Sequence, residues 1–281
     1  MATGGRIAGM LARLQQEGRA ALVPYFSVGD PDLETSRRAI VAAAEAGADA
    51  IELGVPFSDP IADGPVNQAA SQRSLASGSS LPRVLEMVAQ LRTTIDVPLI
   101  LFGYYNPFFR YGEDRLARDA AAAGADAVLC IDLPPEEAGA MVAACKSHGL
   151  DRIFLLAPTS DERRVRAVAK VASGFVYFVS VTGVTGVRTE APAGIEDMVD
   201  GVRAITCLPV GVGFGIATPE QAASVARYAD LVIVGSALVR AMNEAGAAGA
   251  ERACAGFVSG LRRSLDAAAA ERAPRASRAQ T

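Results

Sequence analysis

The sequence is poor in the residues on which several common enzyme mechanisms depend. Its 281 residues include one histidine, His148, and two lysines, Lys146 and Lys170, all in segments with the apolar spacing of helices. Metal-assisted cleavage favours clustered histidines, Schiff-base cleavage needs a lysine amine near the carbonyl, and a nucleophilic triad needs a histidine at the site. The sequence therefore argues against all three schemes, predicts no metal site, and leaves acid–base chemistry by carboxylates.

Other absences concern location and partners. The four cysteines form no CxxC pair, and reduced thiols in the cytoplasm are expected. No apolar run reaches the roughly 20 residues that span a bilayer, and the first residues lack the apolar segment of a secretory signal. A net charge of −4 gives no reason to expect binding to nucleic acid or to an anionic membrane. Without a Walker lysine or a full GxGxxG motif, nucleotide binding is not indicated either, so we expect a small-molecule or protein ligand.

Short β-branched runs alternate with longer helical patterns along nearly the whole chain, which is typical of parallel βαβ units. The predicted strands are Leu22–Ser27, Ala50–Leu53, Pro98–Phe102, Ala127–Ile131, Arg152–Leu156, Phe175–Val179, Pro209–Val212 and Leu231–Val234. The predicted helices include Ile7–Glu17, Thr35–Ala46, Leu81–Thr93, Glu113–Ala123, Glu136–His148, Asp161–Ala172, Ile195–Ala204 and Thr218–Arg227.

Eight such units in about 250 residues match a closed barrel better than an open doubly wound sheet, which usually has fewer strands for its length. We therefore expect an α/β fold, a single (β/α)8 TIM barrel over residues 1–281. The leading helix is expected to plug the N-terminal face of the barrel. From about Arg272 the chain loses its apolar period, and a frayed tail is expected.

One short segment of the chain occurs twice. The run AGADAI at residues 46–51 returns as AGADAV at residues 123–128, and YADL at residues 228–231 resembles a third copy. In the first two copies a glycine ends a helix in the left-handed conformation, a polar residue crosses the short loop, and an apolar strand begins. The repetition supports a fold built from repeated strand and helix units.

Glu52 is the first candidate for chemistry. In a TIM barrel the reacting groups lie at the C-terminal ends of the strands and in the loops that follow, and unusually long loops follow the second and sixth strands, over 54–65 and 180–188. Glu52 lies between Ile51 and Leu53, so the alternation of side chains points it into the barrel if they face the helices. Burial there raises the pKa of a carboxyl group and equips it to exchange protons near neutral pH. The alternative is an ion pair inside the barrel, which the scarcity of basic residues in the predicted strands weakens.

Asp63 is the second candidate. It lies in the loop after the second strand, before Gly64 and Pro65. An aspartate in this context serves chemistry or simply shapes a turn or caps a helix, and the spacing alone does not choose between them. Asp59, before Pro60, has the same ambiguity with a stronger bias to a turn.

Glycines at two neighbouring strand ends indicate a phosphate site. The seventh and eighth strands end in GVGFG at 211–215 and VGSA at 234–237, where barrels commonly bind phosphate with backbone N–H groups and a helix N-terminus. Gly183 and Gly186 in the loop after the sixth strand are candidates to complete it. Glycine also serves tight turns, so one cluster alone is weak evidence, but two clusters at these positions favour phosphate.

The run ELGVPFSDPIADGP at residues 52–65 is similar to the signature of tryptophan synthase alpha chains. Shorter matches, which extend the resemblance from about Arg6 to Leu265, are VGDP at 28–31, YYNP at 104–107, GVTG at 183–186, GFGI at 213–216 and GSA at 235–237. The resemblance implies aldol-type cleavage of indole-3-glycerol phosphate to indole and glyceraldehyde 3-phosphate. Glu52 would then handle the side-chain hydroxyl proton and protonate indole C3. Asp63 would bind the indole N–H and stabilise positive charge.

The resemblance also implies the residues that bind substrate. The indole pocket would be lined by Phe26, Phe102, Leu129, Leu155, Tyr177 and Phe214, with Thr185 closing over it. Ordinary barrel packing is the alternative for each, and it is favoured for Leu129 and Leu155. The phosphate would be held by Gly186, Gly213, Gly215, Gly235 and Ser236.

Family members pair with a pyridoxal-phosphate β subunit in an α2β2 complex through which indole passes. The resemblance therefore implies no cofactor in this chain and a partner surface formed by residues 56–59 and the Asn106-Pro107 loop. Many relatives carry Ser-Arg before the glycines of the sixth loop, where this chain has Ser180-Val181-Thr182. That departure bears on loop closure and partner communication, and leaves the carboxylates unaffected.

Three other functions fit parts of the sequence. A stand-alone indole-releasing lyase of the same family would keep every site residue and lack the partner. A sugar-phosphate isomerase barrel would turn over sugar phosphates and ignore indole compounds. A non-catalytic phosphate-binding module is disfavoured by the joint presence of Glu52 and Asp63.

Overall fold

The computed structural model describes residues 5–179, 194–213 and 215–269. Eight parallel strands close into a barrel in chain order, with β8 paired to β1, as the sequence predicted. The strands are β1 (Ala21–Ser27), β2 (Ile51–Gly54), β3 (Leu99–Gly103), β4 (Ala127–Cys130), β5 (Asp151–Leu156), β6 (Val176–Val179), β7 (Val210–Gly213) and β8 (Leu231–Val234). Each predicted strand is present within one residue at either end, because a buried parallel strand is an apolar run with sharp polar or glycine borders.

The helices surround the barrel. They are α1 (Arg6–Gln16), α2 (Leu33–Glu45), α3 (Pro65–Ala76), α4 (Leu81–Arg92), α5 (Tyr105–Tyr111), α6 (Glu113–Ala123), α7 (Gly139–Ser147), α8 (Glu162–Val171), α9 (Ile195–Thr206), α10 (Pro219–Ala226) and α11 (Ser236–Ala269). In the described part of the chain no helix has the length and apolar character needed to cross a membrane. The predicted tail from Arg272 lies outside the described residues.

Side chains alternate along each strand between two apolar layers. Leu22, Ile51 and Leu53 belong to the layer between strands and helices. Val23 and Ile100 belong to the layer inside the barrel. Three buried residues of α1 join this inner layer, namely Ile7, Met10 and Leu14. The leading helix therefore closes the N-terminal end of the barrel, as predicted.

Two helices near the site were not predicted. The buried residues of α3 are small, including Ala70, Ser71 and Ser74, so no apolar period marks the helix in the sequence. The segment with Asn106 and Pro107, expected to be a loop, is part of the short helix α5. Proline is tolerated there because it lies in the first turn, where its missing N–H has no helical partner.

Three aspartates fasten the N-terminal ends of neighbouring strands. Each precedes an even-numbered strand, and its Oδ2 atom accepts a hydrogen bond from the backbone N–H of the strand before. The bonds join Asp49 to Leu22 (3.0 Å), Asp126 to Leu99 (2.9 Å) and Asp230 to Val210 (2.9 Å). The aspartate of the repeated Ala-Asp dipeptide therefore links two neighbouring strands at the N-terminal end of the barrel.

Each of these aspartates also receives an arginine from a helix. The ion pairs are Arg262 with Asp49 (2.8 Å), Arg92 with Asp126 (2.8 Å) and Arg203 with Asp230 (3.0 Å). The repeated glycine makes room for two of them: a Cβ on Gly47 would lie 2.8 Å from Arg262 Cγ, and one on Gly124 would lie 3.0 Å from Arg92 Cγ. Both glycines have a positive φ, +105° and +100°, which side chains disfavour. The repeated segment therefore connects an outer helix to the start of a strand through an ion pair.

Removal of the Asp126 carboxylate tests whether its ion pair with Arg92 stabilises the fold. Asp126→Ala is expected to lower the free energy of unfolding by on the order of 3 kcal/mol, because the nearly buried Arg92 loses its charged partner. Asp96→Ala is the matched control, since Asp96 binds the same Arg6 as Asp126 but is 91% exposed, and little change is expected. Urea unfolding measures both. Equal losses in the two variants would contradict the assignment.

Candidate functional site

Strand β2 carries Glu52 into the barrel. Its partners in register are Tyr25 on β1 and Ile100 on β3, and the side chain is 1% exposed. Burial raises the pKa of Glu52 to about 8, and no charged neighbour offsets that effect. In the described part of the chain its Oε1 atom has no hydrogen-bond partner. The ion pair considered as an alternative is therefore not formed there, and the carboxyl group is ready to exchange a proton near neutral pH.

Asp63 is held by hydrogen bonds to side chains of neighbouring elements. The Tyr104 hydroxyl donates a hydrogen bond to Asp63 Oδ2 (3.0 Å), and Gln68 Nε2 donates one to the Asp63 carbonyl (2.8 Å). The turn is closed by the backbone, from Asp63 N–H to the Pro60 carbonyl (3.0 Å), and the N-cap of α3 is Gly64 without a side-chain cap. The carboxylate therefore neither shapes the turn nor caps the helix.

The ionisation of Asp63 is a balance of two effects. Burial raises its pKa, and hydrogen bonds from Tyr104 and Asn67 oppose that rise. The N-terminus of α3, which follows directly, adds a partial positive charge that favours the carboxylate. Asp59 is exposed on the same loop, where the Ser58 hydroxyl bonds its carboxylate.

Two tyrosines connect the carboxylates. Burial raises the pKa of Tyr25 far above its ordinary value, and the charges of Asp63 and Glu52 raise it further. The pKa of Tyr177 is raised in the same way, first by burial and then by the charges of Glu52 and Asp63. The charges of both carboxylates therefore act on both phenols. The two acids and the two tyrosines form one site at the C-terminal end of the barrel.

Glycines allow the tyrosines to lie across the barrel mouth. A Cβ on Gly54 would overlap the Tyr25 hydroxyl, and one on Gly213 would overlap the Tyr177 hydroxyl. A larger residue at either strand end would displace the ring. Gly213, expected only as a phosphate ligand, therefore also shapes the pocket wall.

The structure corrects one lining residue. Phe26 was expected in the indole pocket, but it packs in the outer layer beneath the helices, with Leu22 and Leu53. Tyr25 occupies the inner face, where its ring meets Phe102 edge to face with centroids 5.1 Å apart. The expected position was one residue too far along the strand. Neighbouring residues of a strand point to opposite faces of the sheet, so this shift moves the side chain from the inner to the outer layer.

The other expected lining residues in the described part of the chain face inward. Phe102, Leu155 and Tyr177 are partly exposed and pack against the inner layer. Leu129 belongs to that layer and is completely buried, so it supports the pocket from below. Thr185, Phe214 and Gly186 lie outside the described residues.

The expected phosphate residues lie at the ends of β7 and β8. These strands are hydrogen-bonded neighbours, and Gly213 pairs with Ile233. Gly235 and Ser236 follow β8 directly, with Ser236 the first residue of α11. Gly215 has a φ of +73°, a conformation that glycine adopts more readily than other residues. In the described ranges no three acidic, cysteine or histidine side chains form a group that could hold a metal ion.

The chain is similar to known proteins of one family. The family model for the tryptophan synthase alpha chain matches residues 11–267. The alpha chain of Geobacter sulfurreducens is 54% identical over 260 residues, 92% of this chain and 98% of that protein.

The chain belongs to the tryptophan synthase alpha chain family. It is accordingly a lyase of tryptophan biosynthesis.

Solved structures of the family have the same fold. The alpha subunit from Legionella pneumophila superposes with a TM-score of 0.87 at 39% identity, over 94% of this chain and 99% of that one. A chain of Mycobacterium tuberculosis tryptophan synthase superposes with a TM-score of 0.86 at 39% identity, over 94% and 99%. Family membership disfavours the sugar-phosphate isomerase and the non-catalytic module.

Three residues of the site were missed by sequence reasoning. Tyr25 was obtainable, since it shares the register position of Glu52 and the same face. Tyr104 was noted only as part of a motif, and its bond to Asp63 joins positions 41 residues apart. Asn67 lies on the unpredicted helix α3. The folded barrel brings Tyr104 to Asp63, and helix α3 places Asn67 beside the same carboxylate.

Proposed function

We propose that Glu52 and Asp63 together cleave indole-3-glycerol phosphate to indole and glyceraldehyde 3-phosphate. The observation that carries the proposal is a carboxyl group buried inside the barrel with a pKa raised to about 8, with a second carboxylate, held by Tyr104, on the loop that follows the same strand. A pKa close to neutrality suits a group that must both give and take a proton in one turnover.

In the proposed mechanism Glu52 begins protonated. It donates its proton to indole C3, which places positive charge on the ring nitrogen. The bond between C3 and the side-chain carbon then breaks, and its electron pair restores the aromatic indole. The hydroxyl on that carbon gives its proton to Glu52 and becomes the aldehyde, so the acid is regenerated. The indole ring is its own electron sink, and the scheme needs no cofactor from this chain.

Asp63 acts on the opposite side of the ring in this scheme. Its carboxylate accepts a hydrogen bond from the indole N–H and stabilises the positive charge that forms when C3 is protonated. Such preorganised charge in a water-poor pocket is worth far more than in solution. The Tyr104 hydroxyl, 3.0 Å from Oδ2, keeps the carboxylate oriented before substrate binds.

The indole ring is proposed to bind between Phe102, Leu129, Leu155 and Tyr177, with Tyr25 in the place first assigned to Phe26. Phe214 and Thr185 remain proposed contacts. The phosphate is proposed to bind the backbone N–H groups of Gly186, Gly213, Gly215, Gly235 and Ser236. The N-terminus of α11 supplies the partial positive charge expected of an anion site.

We propose a pyridoxal-phosphate β subunit as the partner, in an α2β2 complex. Two large apolar side chains are exposed at the end of the barrel that carries the site: Ile61 is 86% exposed and Phe109 is 62% exposed. They follow β2 and β3, which are neighbours. These two side chains would offer apolar surface to a partner that binds at this end of the barrel. The free cysteines fit a cytoplasmic location.

Incubation of the purified chain with indole-3-glycerol phosphate tests the proposal. Free indole is expected from the chain alone, and tryptophan when a β subunit, pyridoxal phosphate and serine are added. A chain that is fully active alone and never binds a β subunit would be a stand-alone lyase. Turnover of sugar phosphates without release of indole would overturn the proposed reaction.

A further inference from the structure

Asn67 lies between the two ends of the site. It is the third residue of α3, close behind Asp63 in the chain. Its Nδ2 atom is 3.8 Å from the position that a Cβ would take on Gly235, and the Tyr25 Cβ atom is equally far from that position. The side chain therefore spans the distance between the carboxylate and the proposed phosphate loop.

The two halves of the Asn67 amide have different surroundings. Its hydrogen bond to Asp63 lowers the pKa of that carboxyl group. Its Oδ1 atom is buried without a hydrogen-bond partner in the described part of the chain. A buried acceptor with no donor is costly, and folded proteins seldom keep one without a use.

The helix itself does not require asparagine at this position. The N-cap is Gly64, and no side chain caps α3. Asparagine is a weaker helix former than the alanines that follow at Ala69 and Ala70. The Asn67 amide therefore has no evident role in forming the helix.

We propose that Asn67 is a positioning and specificity residue of the lyase site. Its amide N–H bonds and orients the Asp63 carboxylate, and its carbonyl oxygen accepts a hydrogen bond from a hydroxyl of the glycerol phosphate chain. The hydroxyls are the donors available there, because they lie between the indole N–H at Asp63 and the phosphate at Gly235. This inference rests on the proposed function, which assigns those two ends of the substrate.

The first test is the titration of Asp63. Asn67→Leu keeps the branching and approximate size of the side chain and removes both polar atoms. Carboxyl carbon NMR is expected to give a higher pKa for Asp63 in this variant, and the acidic limb of the profile of kcat/KM against pH is expected to move upward with it. An unchanged Asp63 pKa would overturn the positioning role.

The second test is a double cycle of protein and ligand. In the Glu52→Gln background, where turnover is expected to stop, calorimetry compares the intact substrate with an indole alkyl phosphate that lacks the hydroxyls. Asn67→Leu is expected to weaken binding of the intact substrate about tenfold, as for one lost hydrogen bond. Binding of the hydroxyl-free analogue is expected to stay nearly unchanged. Equal losses for the two ligands would overturn the specificity role.

Gln72→Leu is the matched control, because Gln72 is exposed on the same helix and makes the same change from amide to leucine. It is expected to alter neither the titration nor the binding. A purely structural role for Asn67 would lower the stability of Asn67→Leu with no change in the Asp63 pKa. The titration needs no substrate, so it tests the positioning role independently of catalysis. Release of indole by the Glu52→Gln variant would overturn the catalytic assignment of Glu52 and leave the titration result valid.

Discussion

Replacing Glu52 by glutamine is expected to lower the rate of indole release by at least about 10²–10⁴, the contribution typical of a positioned acid–base group. The amide has nearly the shape of the protonated acid, so the pocket is retained. It cannot donate a proton to C3 and then recover one from the hydroxyl. Release of indole from indole-3-glycerol phosphate, followed at saturating substrate, measures the loss in kcat.

The same substitution is expected to stabilise the protein at high pH. The pKa of Glu52 is raised from 4.5 to about 8. Between these values the folded protein binds a proton that the unfolded chain has lost, so the free energy of unfolding falls as the pH rises. Glutamine has no charge to bury, and at pH 8 the variant is expected to be more stable by on the order of 4 kcal/mol. Below pH 4.5 both states of the wild-type chain are protonated and the advantage disappears.

Urea unfolding of the two proteins at pH 4 and pH 8 checks this second result. Glu45→Gln is the control, because Glu45 is exposed on the helix that precedes β2. It is expected to change neither the rate nor the dependence of stability on pH. A Glu52→Gln variant that keeps normal turnover would remove Glu52 from the mechanism, whatever its stability.

Asp63→Asn is expected to lower kcat/KM by about 10²–10³, as for the loss of one preorganised electrostatic contact. Asparagine keeps the size of the side chain and accepts a hydrogen bond from the indole N–H. It cannot stabilise the positive charge that forms on C3 protonation. A binding module, by contrast, would lose little affinity for its ligand, so binding of the hydroxyl-free indole alkyl phosphate is measured beside the rate.

A spectroscopic readout accompanies the Asp63 prediction. The charge of Asp63 contributes to the raised pKa of Tyr104, after burial, together with the hydrogen bond that joins them. Removing the charge is expected to lower the pKa of Tyr104, measured by ultraviolet titration of its phenol. Asp197→Asn, an exposed substitution on α9, is expected to leave rate and titration unchanged. Normal kcat/KM in Asp63→Asn would contradict the proposed role.

The elements near the site differ in how well the sequence predicted them. Buried strands were found within one residue because their apolar runs end abruptly at glycine, proline or charge. The inward orientation of Glu52 followed from Ile51 and Leu53 on either side. The same alternation places Tyr25, not Phe26, on the inner face. The family resemblance was applied one residue out of register, so Phe26 was assigned to the pocket in place of Tyr25. Helix α3 escaped because its buried face is made of small residues.

Local sequence patterns were enough to predict the barrel, the face of the strand on which Glu52 lies and the loop that carries Asp63. Each depends on local rules, namely the period of side chains, the ends of helices and the length of loops. Only the folded structure shows that Tyr104 bonds Asp63, that Tyr25 and Tyr177 lie over glycines, and that burial raises the Glu52 pKa to about 8. These features depend on distances between groups far apart in the chain and on burial from all sides, which closure of the barrel alone creates.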